Sequence, residues 1–226
     1  MKIIGHIETD YKEKFGIPRQ SGLVKESRGR ILFKKEYQIP EAFRGLEDFS
    51  HIWVLWQFSE SVRESWSPTV RPPLLGGNKR MGVFATRSPF RPNSVGLSAL
   101  KLDKVEFSQK EGVVLHVSGA DLLDGTPIYD IKPYLPYADS IPDATGGFTE
   151  GLEERRLEVE FPEKLLDKMP EEKREALIAV LQADPRPSYQ NDPEREYGMN
   201  FAGYEVKFRV EGKVLKITGI NKATKM

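Results

Sequence analysis

A chain of 226 residues with 38% hydrophobic and 30% charged residues has room for one substantial domain or a domain with an annex, and its composition is that of a globular protein rather than a disordered one. It contains no cysteine, which removes disulfides, thiolate nucleophiles and cysteine metal sites, and no apolar run reaches the roughly 20 residues of a membrane-spanning helix. Its 34 lysines and arginines balance 34 acids, so net charge alone points to no polyanionic partner.

Met1-Lys2-Ile3-Ile4-Gly5-His6 lacks the apolar stretch of a signal peptide and reads as the start of a first strand over Lys2 to Glu8, and the absence of cysteine suits a reducing cytoplasm, the expected location. Gly29 to Lys34 predicts a second strand. His51-Ile52-Trp53-Val54-Leu55-Trp56-Gln57-Phe58 is apolar at nearly every position and predicts a central strand covered on both faces. Gly82 to Ala85 predicts a further strand, broken by a proline-rich loop. Leu97 to Phe107 and Val113 to Val117 predict a hairpin joined near Gln109-Lys110-Glu111-Gly112. Many short strands with Gly and Pro between them predict a mainly β fold, an antiparallel β-barrel over residues 1–140.

Asp139 to Thr149 is rich in Pro, Gly and Asp and has no periodicity, which marks a boundary. Beyond it Leu157 to Phe161 predicts a strand. Pro170-Glu171-Glu172 opens a helix, with proline in the first turn and acids at the positive end of the dipole. Ala176, Leu177, Val180 and Leu181 form its apolar face, and Asp184-Pro185 ends it. Gly203 to Val210 and Lys213 to Ile220 predict a hairpin around Glu211-Gly212. A small C-terminal α+β domain over residues 150–226 is the expectation.

Zero net charge conceals a gradient. Between Arg63 and Asn93 the basic residues are Arg63, Arg71, Lys79, Arg80, Arg87 and Arg91, against Glu64 alone. Such a patch is sufficient for phosphate contact, since counterion release depends on the contact surface; a solvated face without a partner is the alternative. Within it lies Arg87-Ser88-Pro89-Phe90-Arg91-Pro92-Asn93. Pro89 and Pro92 fix their own φ and push Ser88 and Arg91 out of helical geometry, so the loop is stiff. A stiff loop holding two guanidiniums and an aromatic ring suits an anion or a purine; a proline-rich turn with incidental arginines is the other reading.

Asp184-Pro185-Arg186-Pro187-Ser188-Tyr189 is a second rigid loop, expected to display an arginine for phosphate and an aromatic for base stacking. In Asp121-Leu122-Leu123-Asp124-Gly125-Thr126-Pro127, Gly125 permits close backbone approach and Thr126 offers a hydroxyl, although an ordinary Asp-Gly turn has the same residues.

Other chemistries lack their residues. Leu75-Gly76-Gly77-Asn78 sits in a proline-flanked loop, not between a strand and a helix as a dinucleotide fingerprint would. His6, His51 and His116 are far apart in strand-like stretches, so no metal site is predicted. No Gly-x-Ser-x-Gly elbow occurs. Reactions that work by positioning remain, and methyl transfer from a sulfonium is one, since orientation alone supplies about 7–11 kcal/mol.

Tyr11-Lys12-Glu13-Lys14-Phe15, Pro18-Arg19-Gln20, Phe43-Arg44-Gly45-Leu46-Glu47, Phe49-Ser50-His51-Ile52-Trp53, Arg71-Pro72-Pro73, Leu75 to Asn78, Arg87 to Asn93, Asp124 to Pro127, Asp130 to Pro136 and Asp184 to Pro187 occur in an order that resembles the TsaA-like family, also called TrmO. Members use S-adenosylmethionine to methylate N6 of the threonylcarbamoylated adenosine beside the tRNA anticodon. The resemblance implies a β-barrel, S-adenosylmethionine as cofactor, the tRNA anticodon loop as partner, and a homodimer whose cofactor pocket lies near the subunit boundary. It implies a cofactor site at Pro18, Arg19, Gln20, Arg87, Leu97, Asp124, Gly125, Thr126 and Pro127. Ser59 and Glu60 stand where relatives often carry a histidine-containing pair; the backbone contact transfers, the histidine's role does not, and Glu60 offers a carboxylate for an amine.

Together these readings place phosphate contacts at Arg71, Lys79, Arg80, Arg91 and Arg186, and base stacking at Phe90 or Tyr189, around one pocket mouth. No catalytic residue is designated; if a general base serves N6, Asp121, Asp124 and Asp130 are the candidates. A non-catalytic RNA- or nucleotide-binding barrel, or a methyltransferase for another purine-containing substrate, remain as alternatives.

Overall fold

The computed structural model describes residues 1–62, 64–150, 156–187, 190 and 192–223. The first part contains β1 (Gly5–Thr9), β2 (Arg28–Phe33), β3 (His51–Gln57), β4 (Thr69–Val70), β5 (Met81–Gly82), β6 (Val95–Ser108), β7 (Gly112–Ser118) and β8 (Pro127–Pro133). Six of these close a barrel in the order β1-β2-β7-β6-β3-β8, every pair antiparallel. The ring closes where β1 meets β8, at Gly5↔Ile128 and His6↔Pro127. Closure leaves no edge open along the ring, which a set of short strands otherwise exposes. The period-two alternation turns Ile7, Ile31, Ile52, Val54, Leu100, Leu115, Val117 and Ile128 into one shared core.

Two sequence expectations change here. β3 is not covered on both faces: Ile52, Val54 and Trp56 are buried, while Trp53 and Leu55 on the outer face are only half-buried. A barrel has one interior, so a continuous apolar run still alternates in and out. Trp53 keeps its polar edge satisfied, its Nε1 donating at 2.9 Å to Asp139 Oδ2 in the short helix α1 (Pro136–Asp139). Gly82 to Ala85 is not a strand. β4 and β5 pair over only two residues each, and Val83–Ala85 then forms a 3-10 turn closed by Thr86 N–H on Val83 C=O at 3.1 Å.

The second part contains β9 (Glu158–Glu160), α2 (Glu163–Leu166), α3 (Glu171–Gln182), β10 (Tyr197–Phe201), β11 (Tyr204–Glu211) and β12 (Val214–Lys222). Its sheet runs β10-β11-β12-β9, with β9 parallel to β12. α3 begins after Pro170 and buries Ala176, Leu177, Val180 and Leu181, the face expected from sequence. It gives way to a turn in which Asp184 has φ 50°. β10 was not legible in the sequence, where Gly198 and Asn200 weaken the alternation.

An arm from the barrel completes this second core. Tyr11 and Val24 are buried among α3 and the sheet residues Met199, Phe201 and Phe208, with Phe15 and Ile17 packed against them. Tyr11 Oη donates to Ser27 Oγ at 2.9 Å, and burial pushes its phenol pKa well up. Lys173 on α3 grips Asp10 at 2.7 Å, and Asn200 N–H donates to Glu13 Oε1 at 2.8 Å. Residues 11–24 therefore run from the barrel strand β1 into the core of the second part, and each fully buried apolar side chain they add is worth about 1.5–3 kcal/mol.

Candidate active site

The end of β3, the start of β6, the connection between β7 and β8 and the arm meet at one end of the barrel, around a cavity of about 520 Å³. Small-molecule sites span roughly 300–1,000 Å³, so the size suits a nucleoside-containing ligand. Trp56, Phe58, Val95 and Leu97 give apolar walls; Arg19, Arg87 and Arg91 bring guanidiniums; Glu60 and Asp121 bring carboxylates.

Local geometry explains how the cavity is built. Trp56 pairs across the sheet with Gly96, where a Cβ would stand 2.2 Å from the indole Cε2. Glycine is thus needed at position 96 for space, so that the indole can lie against the backbone of β6. The indole Nε1 donates at 3.0 Å to Ser98 Oγ, and Ser98 Oγ donates at 2.7 Å to Asp121 Oδ1. Ser98 has no solvent exposure. Burial pushes the Asp121 carboxyl up to about 6, against the opposing pull of the Ser98 hydrogen bond, backbone N–H groups and the charge of Arg87. The neighbouring Arg87 Nη1 donates to Gln20 Oε1, which fixes the guanidinium at the cavity wall.

Of the residues expected to hold a cofactor, Pro18, Arg19, Gln20, Ser59, Glu60, Arg87, Leu97 and Thr126 line this cavity. Ser59 and Glu60 lie in a 3-10 turn whose Glu60 C=O accepts from Lys14 Nζ at 2.7 Å. Asp124, Gly125 and Pro127 do not line it. Asp124 instead ties the turn to β1: Oδ1 accepts from Thr9 N–H at 2.9 Å, and Oδ2 from Lys12 Nζ at 2.5 Å. Gly125 takes φ 76° in a turn closed by Thr126 N–H on Leu123 C=O at 3.2 Å, which is what aims Thr126 inward. Among the three aspartates considered as bases, only Asp121 reaches the cavity; Asp130 pairs with Lys132 at 3.4 Å on a half-exposed part of β8.

The residues expected to meet RNA divide. Arg91 lines the cavity, its Nη1 donating to Thr86 C=O at 2.8 Å. Arg71, Lys79 and Arg80 are exposed on the excursion between β3 and β6. Phe90 is half-buried. Arg186 is not displayed: it is 7% exposed, with Nε and Nη2 on the two oxygens of Asp184 at 2.8 and 2.9 Å. The left-handed turn at Asp184 carries that carboxylate back onto the arginine, which explains the difference. Its backbone is nonetheless close to the site, since Arg19 Nη2 donates to Arg186 C=O at 2.9 Å. Tyr189 and Arg63 lie outside the described residues.

Sequence reasoning missed Trp56, Gly96 and Ser98 as parts of the site. Their common signal is parity: each lies on the inward face near one end of its strand, and the cross-strand register that reveals this is not in the sequence.

Comparison with known proteins bears on this site. The chain matches the model of the tRNA-methyltransferase O N-terminal domain over residues 6–140, and the TrmO C-terminal domain over residues 154–223. It is 43% identical over 215 residues to the tRNA (adenine(37)-N6)-methyltransferase of Escherichia coli, covering 92% of this chain and 91% of that protein. A Pseudomonas aeruginosa protein with the provisional name S-adenosylmethionine-dependent methyltransferase RcsF is 39% identical over 214 residues, covering 90% of this chain and 89% of that one. A crystal structure of TrmO from P. aeruginosa superposes with a TM-score of 0.79 at 33% identity, over 98% of this chain and 95% of that one.

Proposed function

The chain belongs to the TrmO family of S-adenosylmethionine-dependent tRNA (adenine(37)-N6)-methyltransferases, and we propose that its substrate is the threonylcarbamoylated adenosine, methylated at N6 in the cavity between Arg87 and Asp121. The observation that carries this reading is the half-buried carboxyl of Asp121 facing a cavity that is also lined by aromatic rings, guanidiniums and Glu60.

The donor set fits S-adenosylmethionine. Trp56, Phe58 and Leu97 offer apolar surface for an adenine and a methyl group, Arg87 offers paired N–H donors for the amino-acid carboxylate, and Glu60 offers an acceptor for its ammonium. When bound, the cofactor supplies a methyl group on a positively charged sulfur, which leaves as a neutral thioether. Gln20 orients Arg87 through the hydrogen bond between them, so the cofactor's tail is held before the substrate arrives.

N6 of adenosine is a poor nucleophile because its lone pair is delocalised into the purine, and a carbamoyl substituent withdraws it further. The same substituent makes the N6 proton easier to remove. Asp121 accepts that proton as the N6–methyl bond forms, a role that general-base catalysis makes worth about 10²–10⁴ in rate. Ser98 keeps the carboxylate ionised near neutrality by donating to Oδ1. In this reading the protein is a cytoplasmic homodimer; Leu97, 54% exposed at the cavity rim, is an apolar side chain for a partner subunit to cover.

Calorimetry with S-adenosylmethionine and S-adenosylhomocysteine tests the site. Binding by the wild type and its loss in Arg87→Ala support it. Undiminished affinity in Arg87→Ala removes Arg87 from the cofactor site, and no binding by the wild type overturns the site as a whole.

A further inference from the structure

Two aromatic rings lie outside both cores, on the excursion that joins β3 to β6. Trp66 and Phe84 stack with centroids 5.9 Å apart and planes at 28°, although Trp66 is 48% and Phe84 70% exposed. Arg91 stands behind them, its Cζ 5.8 Å from the Phe84 centroid. Large rings in mutual contact usually end in a core, because burial of such a side chain is worth several times a typical surface contact. Here the backbone holds them out. Val83 N–H donates to Pro68 C=O at 3.0 Å, Ser67 N–H to Phe90 C=O at 3.1 Å, and the β4–β5 pair Thr69↔Gly82 locks the two sides together.

The surroundings indicate what such a pair would receive. No acid occurs between Glu64 and Asp103, whereas Arg71, Lys79, Arg80, Arg87 and Arg91 all do. An aromatic shelf in a cationic, acid-free segment is complementary to a single-stranded nucleic acid, with rings for a base and cations for its phosphates. The shelf is also continuous with the active-site cavity, since Arg91 touches Phe84 and lines the cavity together with Arg87 and Pro89.

We infer that Trp66 and Phe84 form a stacking shelf for an unpaired anticodon-loop base neighbouring the target adenosine. The shelf rests on the tRNA reading above and adds to it a second binding position, distinct from the pocket that takes the reacting base. Stacking on the shelf holds the loop splayed, which presents N6 to the cavity. Arg91 serves both places, its guanidinium backing the Phe84 ring while its Nη1 bonds Thr86 C=O.

The test uses the full chain and an anticodon stem-loop carrying 2-aminopurine beside the target adenosine. Wild-type protein quenches the 2-aminopurine emission and methylates tRNA. Phe84→Ala and Trp66→Ala lose the quenching and weaken tRNA binding by about 5- to 150-fold, the range that one stacked base supplies. The salt slope of binding stays constant, because no phosphate contact is removed, and Phe84→Tyr restores the quenching. S-adenosylmethionine affinity in the same variants matches the wild type. If the wild type methylates tRNA and Phe84→Ala binds and quenches equally well, the shelf is wrong and the function stands. If the wild type neither binds nor methylates tRNA, the reading beneath the shelf falls with it. If Phe84→Ala instead changes the oligomeric state in sedimentation, the rings are a contact between copies of the chain, which also overturns the shelf.

Discussion

Ser98 donates its hydroxyl to Asp121 Oδ1 across 2.7 Å from a position with no exposure to solvent. The Trp56 indole donates into the same hydroxyl at 3.0 Å, and the ionised Asp121 carboxylate can only accept, so the bond between them runs from Ser98 to Asp121. The one proton on Ser98 is therefore committed to Asp121. A burial that favours the neutral acid is opposed by a bond that favours the ion, and the carboxyl comes to rest near the pH at which a base is most useful.

Asp121→Asn separates catalysis from stability. The turnover rate of tRNA methylation falls by about 10²–10⁴, while calorimetric affinity for S-adenosylmethionine stays close to wild type. The wild-type rate rises with pH through an apparent pKa near 6, and the variant loses that limb. Stability moves the opposite way. The carboxyl titrates near 6 when folded against an ordinary 3.8, so the folded state binds the extra proton between these values and Asp121 becomes destabilising as pH rises through that window. Removing the charge raises thermal stability at pH 8, by about 1–3 kcal/mol, and leaves it unchanged near pH 3.

Ser98→Ala removes the donor that lowers the Asp121 carboxyl and strands the Trp56 N–H in the core. The acidic limb of the rate profile shifts above pH 6, and unfolding becomes easier by about 1–3 kcal/mol, the cost of one buried unpaired donor. A pH–rate profile and a denaturation curve on the same sample check both halves. A limb that does not move separates Ser98 from the titration of Asp121.

Gly96→Ala places a methyl where Trp56 Cε2 lies 2.2 Å away, so the ring or the β6 backbone must shift. Overpacking of this kind costs about 1–3 kcal/mol. Because Trp56 is also a wall of the cavity, cofactor affinity falls in the same variant. Calorimetry against thermal unfolding distinguishes this from a purely structural defect: wild-type affinity in a destabilised protein would detach Trp56 from the site.

How much of this was legible beforehand depended on the kind of information each feature needs. Local chemistry carried five of the six barrel strands, though not β8, because alternation and Gly/Pro punctuation are properties of the chain, and carried α3, whose proline start and apolar face lie within a few residues. The order of family motifs led to Pro18-Arg19-Gln20, Arg87, Leu97 and Thr126, all of which line the cavity. Features that depend on register or on long-range packing were not readable. Trp56 looked like one more residue of an apolar run until its pairing with Gly96 turned it into a wall. Arg186 looked displayed, because a proline-flanked arginine gives no hint that Asp184 has φ 50° and returns its carboxylate. Tyr11 gave no sign that it completes the core of the second part.

Lys79→Ala with Arg80→Ala tests the basic excursion. Both side chains are exposed and away from the cavity, so cofactor binding is unaffected. Binding of tRNA weakens, and the slope of log affinity against log salt falls by about 1.4–1.8, the release of two counterions. Titrations at several salt concentrations measure it. An unchanged slope makes this a solvated face and moves the RNA path elsewhere.

The central claim, methyl transfer to N6 of threonylcarbamoylated adenosine, is tested most directly by mass spectrometry of tRNA nucleosides. Purified protein is incubated with S-adenosylmethionine bearing a deuterated methyl group and with tRNA that carries the threonylcarbamoyl modification; an identical tRNA lacking it serves as the comparison. The account predicts a deuteromethyl group on N6 of the threonylcarbamoylated adenosine, absent from unmodified tRNA and lost in Asp121→Asn. Label on a different base, equal label on the unmodified tRNA, or no label from a protein that binds the cofactor would contradict it.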